Sequence, residues 1–311
     1  MMQNNKINNN GNILEIKNVS MSYGSNQVLH DINFNLPSGS FVGFLGVNGA
    51  GKTSLISAIA GLRPYSGQIT IANQNLQQNP VAAKQVMGVV PQEISFDPFM
   101  SVIKTLRFQS NLYKTKNNEY WIEELLVRLH LKEKANANTR SLSGGMKRRL
   151  MVAQALVHKP SLIILDEPTA GVDVEIRKLL WEFITEINNK GATILLTTHY
   201  LEEVEHLCNN VIMLHNGQVL YNDSTKSLTQ LSAKLPSQFY CTIASKDNLP
   251  PSVQTLVTDH SDSGVYKFDN VSQDQILAIL KSIYESGIQI QDMGINKPKL
   301  EDIFLKYLSR N

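Results

Sequence analysis

The sequence predicts an α/β fold with a parallel sheet built around a phosphate-binding loop. Three observations predict it. Gly46-Val47-Asn48-Gly49-Ala50-Gly51-Lys52-Thr53 fits the spacing Gly, four residues, Gly, Lys, Ser/Thr. The runs Phe41–Leu45, Val86–Val90, Leu162–Leu165 and Thr193–Thr197 are apolar throughout or nearly so, as in strands covered on both faces. Segments of helical period lie between them, and strands alternating with helices give parallel topology.

Taken in order, the N-terminal stretch 1–12 is Asn-rich with no apolar core, so it is expected as a disordered tail rather than a signal peptide. Ile13–Val19 alternates like a half-buried strand. Tyr23 precedes a turn at Gly24-Ser25-Asn26, and Val28–Leu36 alternates again at Ile32, Phe34 and Leu36. Pro37-Ser38-Gly39 leads into the loop strand, and Ser54–Ala60 continues the loop as a helix. Gln68–Ile71 is a further short strand, and Pro91-Gln92 ends the strand at Val86–Val90. From Ser101 to about Ala155 the pattern is helical, with Trp121, Leu125, Leu126 and Leu129 on one stripe, and Phe108 and Trp121 are expected in the core. This is a helical subdomain, at about 93–160, inserted between sheet strands. Val174–Asn189 reads as an amphipathic helix with Ile176, Leu179, Leu180, Phe183, Ile184 and Ile187 inward. Beyond 233 the chain reads as a small α+β unit, 234–311, with strands at Phe239–Ile243 and Val265–Phe268, a helix at Ile276–Ser286 and a terminal helix at Leu300–Leu308.

The chain has 311 residues and a formal charge of +2, so charge implies no polyanion partner, and no nucleic acid is expected. Cys208 and Cys241 match no metal spacing and are expected as reduced thiols in a cytosolic protein. No apolar run approaches the roughly 18–20 residues that cross a bilayer, so membrane contact is expected through a partner.

Chemistry gathers at strand ends. Glycines let backbone N–H groups turn onto a polyphosphate, and the helix start adds about half a positive charge. Lys52 can reach the outer phosphates, and Thr53 can offer its hydroxyl to Mg²⁺. Asp166-Glu167 follow a buried strand, with Asp166 placed to hold Mg²⁺ and Glu167 to polarise water. Gly46, Gln92, Asp166 and His199 all follow strand ends, where ligands of such sheets bind. A second glycine-rich helix start, Ser143-Gly144-Gly145, can hold another anion. Two such sites in one chain suit a head-to-tail pair of chains enclosing two nucleotides. Lys147-Arg148-Arg149 and Glu202, Glu203 and Glu205 read as solvated helix faces, and His130, His158, His206 and His215 as structural.

The set resembles the ATPase subunit of ATP-binding-cassette transporters over roughly Ile13 to Leu228. Six motifs occur in the family's order. The resemblance implies a P-loop cassette with a mixed sheet core, an antiparallel β subdomain and an inserted helical subdomain, spanning 13–233. It implies Tyr23 stacking on adenine with Val28 beneath, Gly46–Thr53 and Ser54 as the Walker A loop, Gln92 as the Q-loop residue at Mg²⁺, and Asp166 and Glu167 as Walker B. It also implies catalytic roles for Lys52, Glu167 and the switch His199, and Ser143, Gly144, Gly145 and Asp173 acting in trans. Met146 stands where the signature usually has Gln, and Val47 where Walker A commonly has Pro. Signature Met146, Gly171-Val172-Asp173 and Leu300–Leu305 are similar to the ABC-2 exporter branch. That likeness implies ATP and Mg²⁺, a separate transmembrane permease, a homodimer, and a place on the cytoplasmic face of the membrane. A soluble cassette acting on ribosomes or DNA is disfavoured by one cassette, no CxxC pair and near-neutral charge.

Overall fold

A computed structural model describes residues 11–93, 96–169, 172–198, 201–228, 238–243, 249–261, 264–269 and 271–296. His199, Ala170, Gly171, the tail before residue 11, the expected boundary at 233/234 and the expected helix Leu300–Leu308 lie outside the described residues. The chain divides into two compact units, Met1–Thr225 and Lys226–Asn311.

In the first unit, β1 (Asn12–Tyr23) and β2 (Asn26–Pro37) pair antiparallel, Tyr23 opposite Asn26. β3 (Phe41–Gly46) runs into the glycine loop and α1 (Lys52–Ile59). Then come β4 (Ser66–Ile71), β5 (Gln74–Asn75), α2 (Pro80–Gln85) and β6 (Met87–Val90). The helices α3 (Val102–Leu112), α4 (Glu119–Arg128) and α5 (Gly144–Leu156) follow, then β7 (Leu162–Asp166), α6 (Val174–Asn189), β8 (Thr193–Thr197), α7 (Leu201–Leu207), β9 (Asn210–His215) and β10 (Gln218–Ser224).

Two sheets result. One is antiparallel, in the order β2-β1-β4-β5; the other runs β10-β9-β3-β8-β7-β6. In the second, β6, β7, β8, β3 and β9 are parallel neighbours and β10 is antiparallel, so the sheet is mixed, as expected. β7 and β8 are buried at every residue, which is why their sequences do not alternate. Ile16, Phe44, Leu55, Ile69 and Leu195 belong to one core cluster contributed by both sheets and α1. Phe44 and Leu55 are 0 % exposed, and each such side chain contributes roughly 1.5–3 kcal/mol.

α3, α4 and α5 intervene between the neighbouring strands β6 and β7, so the helical insertion leaves and re-enters the sheet at adjacent positions. Phe108 is a correction: it is 59 % exposed. α3 buries Val102, Thr105 and Leu106, and a residue two past Leu106 is turned about 200° around the helix. Trp121 is half-buried, and its indole N–H donates to the Leu156 carbonyl at 2.9 Å. In α6, Leu180, Phe183 and Ile184 are buried, whereas Ile176, Leu179 and Ile187 are only partly so.

The second unit holds β11 (Gln238–Ile243), α8 (Pro251–Gln254), β12 (Asp259–His260), β13 (Val265–Asp269), α9 (Gln273–Glu285) and β14 (Ile290–Asn296). Its antiparallel sheet runs β12-β13-β11-β14. Phe239, Phe268, Ile279 and Ile283 make its own core. A reciprocal Ser272–Gln275 capping box starts α9. Cys208 and Cys241 are both free and buried, and burial pushes both thiols up, Cys241 to about 11.

Candidate functional site

Because β3, β7, β8 and β6 are parallel, their carboxyl ends share one edge of the sheet, and the loop after β3 emerges there beside Asp166, Thr197 and Pro91-Gln92. Val47, Asn48 and Gly49 are exposed at the tip of that loop, while Ala50 is buried beneath it. Gly49 and Gly51 have φ of 81° and 104°, in the left-handed region that glycine enters at little cost. No side chain caps α1, so its first N–H groups face outward without a competing acceptor from a cap. Lys52 folds back over the loop: its Nζ donates to the Gly46 carbonyl at 2.6 Å and to that of Val47 at 3.2 Å. Burial holds its ammonium below the usual lysine range, against the pull of Glu167 and Asp166. Thr53 is exposed and Ser54 half-buried at the start of α1.

Asp166 ends β7 and is 3 % exposed. Burial raises its carboxyl above the ordinary aspartate range; Thr197, Arg148 and Lys52 oppose that rise, and Glu167 adds to it. Thr197 Oγ1 donates to Asp166 Oδ1 at 2.5 Å and accepts the Glu167 N–H at 3.0 Å. The Glu167 N–H also reaches the Thr197 carbonyl at 3.2 Å. Glu167 itself sits at φ 48°, a conformation that costs a non-glycine residue on the order of 1–2 kcal/mol. Strain of this kind, held in place by the strand next door, fixes where the carboxylate starts.

Tyr23 ends β1 and is 45 % exposed, so it is not core, and the Arg63 guanidinium lies 5.8 Å from its ring centre. Val28 packs half-buried against the core. Ser143 and Gly144 are exposed at the start of α5, where Ser143 Oγ accepts the Met146 N–H at 3.3 Å. Asp173 caps α6 by accepting the Ile176 N–H at 2.9 Å. Thus Lys52, Asp166, Glu167 and the Gln92 backbone converge, while Ser143, Gly144, Gly145 and Asp173 stand at exposed helix starts elsewhere on the same unit.

Two charged stretches are corrections. Arg148 and Arg149 are 3 % and 8 % exposed, not a solvated face. Arg149 donates to the Leu129 carbonyl at 2.8 Å. Arg148 reaches the carbonyls of Pro91 at 2.8 Å, Gln92 at 3.0 Å and Pro168 at 3.3 Å, and those of Asp166 and Glu167. Glu203 is 0 % exposed, and Thr169 Oγ1 donates to its Oε1 at 2.5 Å, which ties α7 to the turn after Glu167. Sequence reasoning missed Thr197 as well; its signal was a hydroxyl ending an otherwise apolar strand. His158 is packed, its ring stacked on Tyr113 at 3.6 Å and its Nε2 3.0 Å from the Met87 carbonyl, and burial lowers its pKa to about 4.

The donor set suits Mg²⁺. Asp166, Thr53 and Gln92 offer hard oxygens, and the buried Asp166 carboxylate is one that a cation would hold ionised. Among the described residues no cluster of three or more His, Cys, Asp or Glu could hold a metal ion.

The family model described as ABC transporter matches residues 29–170. The chain is 36 % identical over 307 residues to Nod factor export ATP-binding protein I of Cupriavidus pinatubonensis, covering 96 % of this chain and 91 % of that protein. It is 38 % identical over 211 residues to linearmycin resistance ATP-binding protein LnrL of Bacillus subtilis, covering 67 % and 68 %. A solved structure of an ATP-binding subunit of an ABC transporter matches with TM-score 0.67 at 31 % identity, over 70 % of this chain and 92 % of that one. The chain belongs to the ABC transporter family and is one of its ATP-binding cassette ATPases.

Proposed function

We propose that this chain is the ATP-hydrolysing subunit of an exporter of the ABC-2 branch and drives a separate transmembrane permease by closing as a head-to-tail pair around two ATP molecules. The observation that carries the reading is Lys52 set against Asp166 and Glu167, with Glu167 locked at φ 48° by Thr197. The loop N–H groups and Lys52 bind the β- and γ-phosphates and offset the charge that develops on the transferring phosphoryl group. Glu167 accepts a hydrogen bond from the attacking water and orients it in line with the bond to the leaving oxygen, with His199 assigned to the γ-phosphate. Thr53, Gln92 and Asp166 would hold Mg²⁺, which supplies Lewis-acid neutralisation of the phosphate oxygens when bound. Tyr23 presents an exposed ring for the adenine, with Val28 assigned to the same site. Ser143, Gly144, Gly145 and Asp173 complete the partner copy's pocket.

No helix among the described residues is long and apolar enough to cross a membrane. On this reading the permease holds the chain at the cytoplasmic face of the membrane. A cleft of about 330 Å³ lined by Leu62, Met87, Pro91, Gln109, Tyr113 and His158 adjoins Gln92 and is assigned to a cytoplasmic segment of that permease. Outward transport is supported by relatives named for export and resistance. The domain boundary is proposed at 233/234, a few residues beyond the division between the two units at Thr225/Lys226, with 234–311 as a small appendage.

Phosphate release by the full chain tests the reading. Glu167→Gln should keep ATP affinity within about threefold and lose about 10²-fold or more in turnover. Undiminished turnover would reject the role given to Glu167.

A further inference from the structure

We propose that Arg148 is a positioning residue: it locks the peptides around Glu167 to those at Gln92 and so makes hydrolysis at one nucleotide depend on closure around the other. A guanidinium has five N–H donors and no acceptor. Here Nε donates to Pro168, Nη1 to Pro91 and Gln92, and Nη2 to Asp166 and Glu167. Five donors meet five carbonyls, two just after β6 and three at and beyond the end of β7. Arg148 is 3 % exposed, so its charge is met inside the fold, by these five carbonyl dipoles and by the attraction of Asp166 and Glu167.

Burying an ion costs several kcal/mol, and well-packed apolar residues often stabilise a fold as much or more. A guanidinium kept here is best explained by what it positions. Glu167 is held on both sides: its N–H by Thr197, its carbonyl by Arg148. Turning the peptide after Glu167 would swing its carboxylate away from the water it orients, and about 1 Å of misplacement can cost 10²-fold in rate.

The coupling follows from the helix. Ser143, which caps α5, and Arg148 are separated by five residues, or about 7.5 Å along the axis. On the paired reading above, Ser143-Gly144-Gly145 grips the partner's ATP. Any shift of α5 on closure is then passed by Arg148 to Gln92 and Glu167 of its own pocket.

The test uses the full chain with Mg-ATP and compares wild type, Arg148→Met and Arg148→Lys. ATP affinity is read by calorimetry, kcat and the Hill coefficient by phosphate release, and folding by circular dichroism. The expected result is affinity within about threefold, kcat reduced by about 10²-fold in Arg148→Met, and a Hill coefficient falling to about one. Lysine, with three donors, should restore only a minor part. If Arg148→Met does not fold, Arg148→Lys decides. Wild-type kcat and cooperativity in whichever variant folds would overturn the proposal, as would full rescue by lysine. A wild-type Hill coefficient of one would instead reject the paired reading. The kcat split would then still decide whether Arg148 positions Glu167.

Discussion

The first unit has two glycine-rich helix starts, and their glycines meet different things. A Cβ on Gly46 would lie 2.7 Å from the Leu214 carbonyl oxygen. One on Gly51 would lie 2.9 Å from Leu29 Cδ2, at φ 104°. These glycines are demanded by the chain's own fold. A Cβ on Gly144 or Gly145 would meet nothing within 4 Å, and neither has a positive φ. Among the described residues no neighbour requires glycine at those positions, although glycine weakens a helix by roughly 0.5–1 kcal/mol relative to alanine. The first loop is finished within one chain. The second has open space where its side chains would be, which is where the proposed pairing puts the partner copy's nucleotide.

Substitutions at the two helix starts should separate them. The largest effect is expected at the loop. Lys52→Ala should weaken ATP binding by about 10²-fold, since a charge-assisted contact to phosphate contributes roughly 1.5–3 kcal/mol. Unaltered affinity in a calorimetric titration would remove the loop from the binding site. Next, Gly51→Ala should destabilise the first unit by about 1–3 kcal/mol, or a Tm lower by several degrees, from strain and overpacking. Gly144→Ala should leave Tm level or slightly higher, yet lower turnover by about tenfold. Equal losses of Tm at both positions would erase the contrast.

The smallest effect is expected just past the far end of α5. His158, normally near 6.5, has its pKa lowered to about 4 by burial. Its folded form thus takes up a proton less readily than the unfolded chain does. Stability is lost as pH falls from about 6.5 towards 4, and no such penalty acts above that window. His158→Phe should flatten that part of the pH profile of Tm, and an unchanged slope would show that the ring is not held neutral.

The contrast also marks what the sequence made legible. The Gly46–Thr53 loop, the Asp166-Glu167 pair and the parallel α/β order were readable because each is written in consecutive residues: a spacing, or a run of apolar side chains ended by polar ones. Arg148, Arg149 and Glu203 were misread because a charge run carries no record of what lies across from it. Arg148 is satisfied by carbonyls of Pro91 and Glu167, and Glu203 by Thr169, all set by tertiary packing. Phe108 failed for a simpler reason: its type suggests core, but the turn of α3 points it outward. Thr197 was passed over as one more residue of a buried strand, yet its hydroxyl links Asp166 to the Glu167 backbone.

The central claim is that Ser143-Gly144-Gly145 completes a pocket begun by the other copy. Sedimentation of the full-length Glu167→Gln variant, with and without Mg-ATP, tests it most directly. Expected are a monomer without nucleotide, a dimer with it, and loss of that dimer on adding Ser143→Arg while each chain still binds ATP. A dimer that persists with Ser143→Arg, or a monomer under every condition, would contradict it.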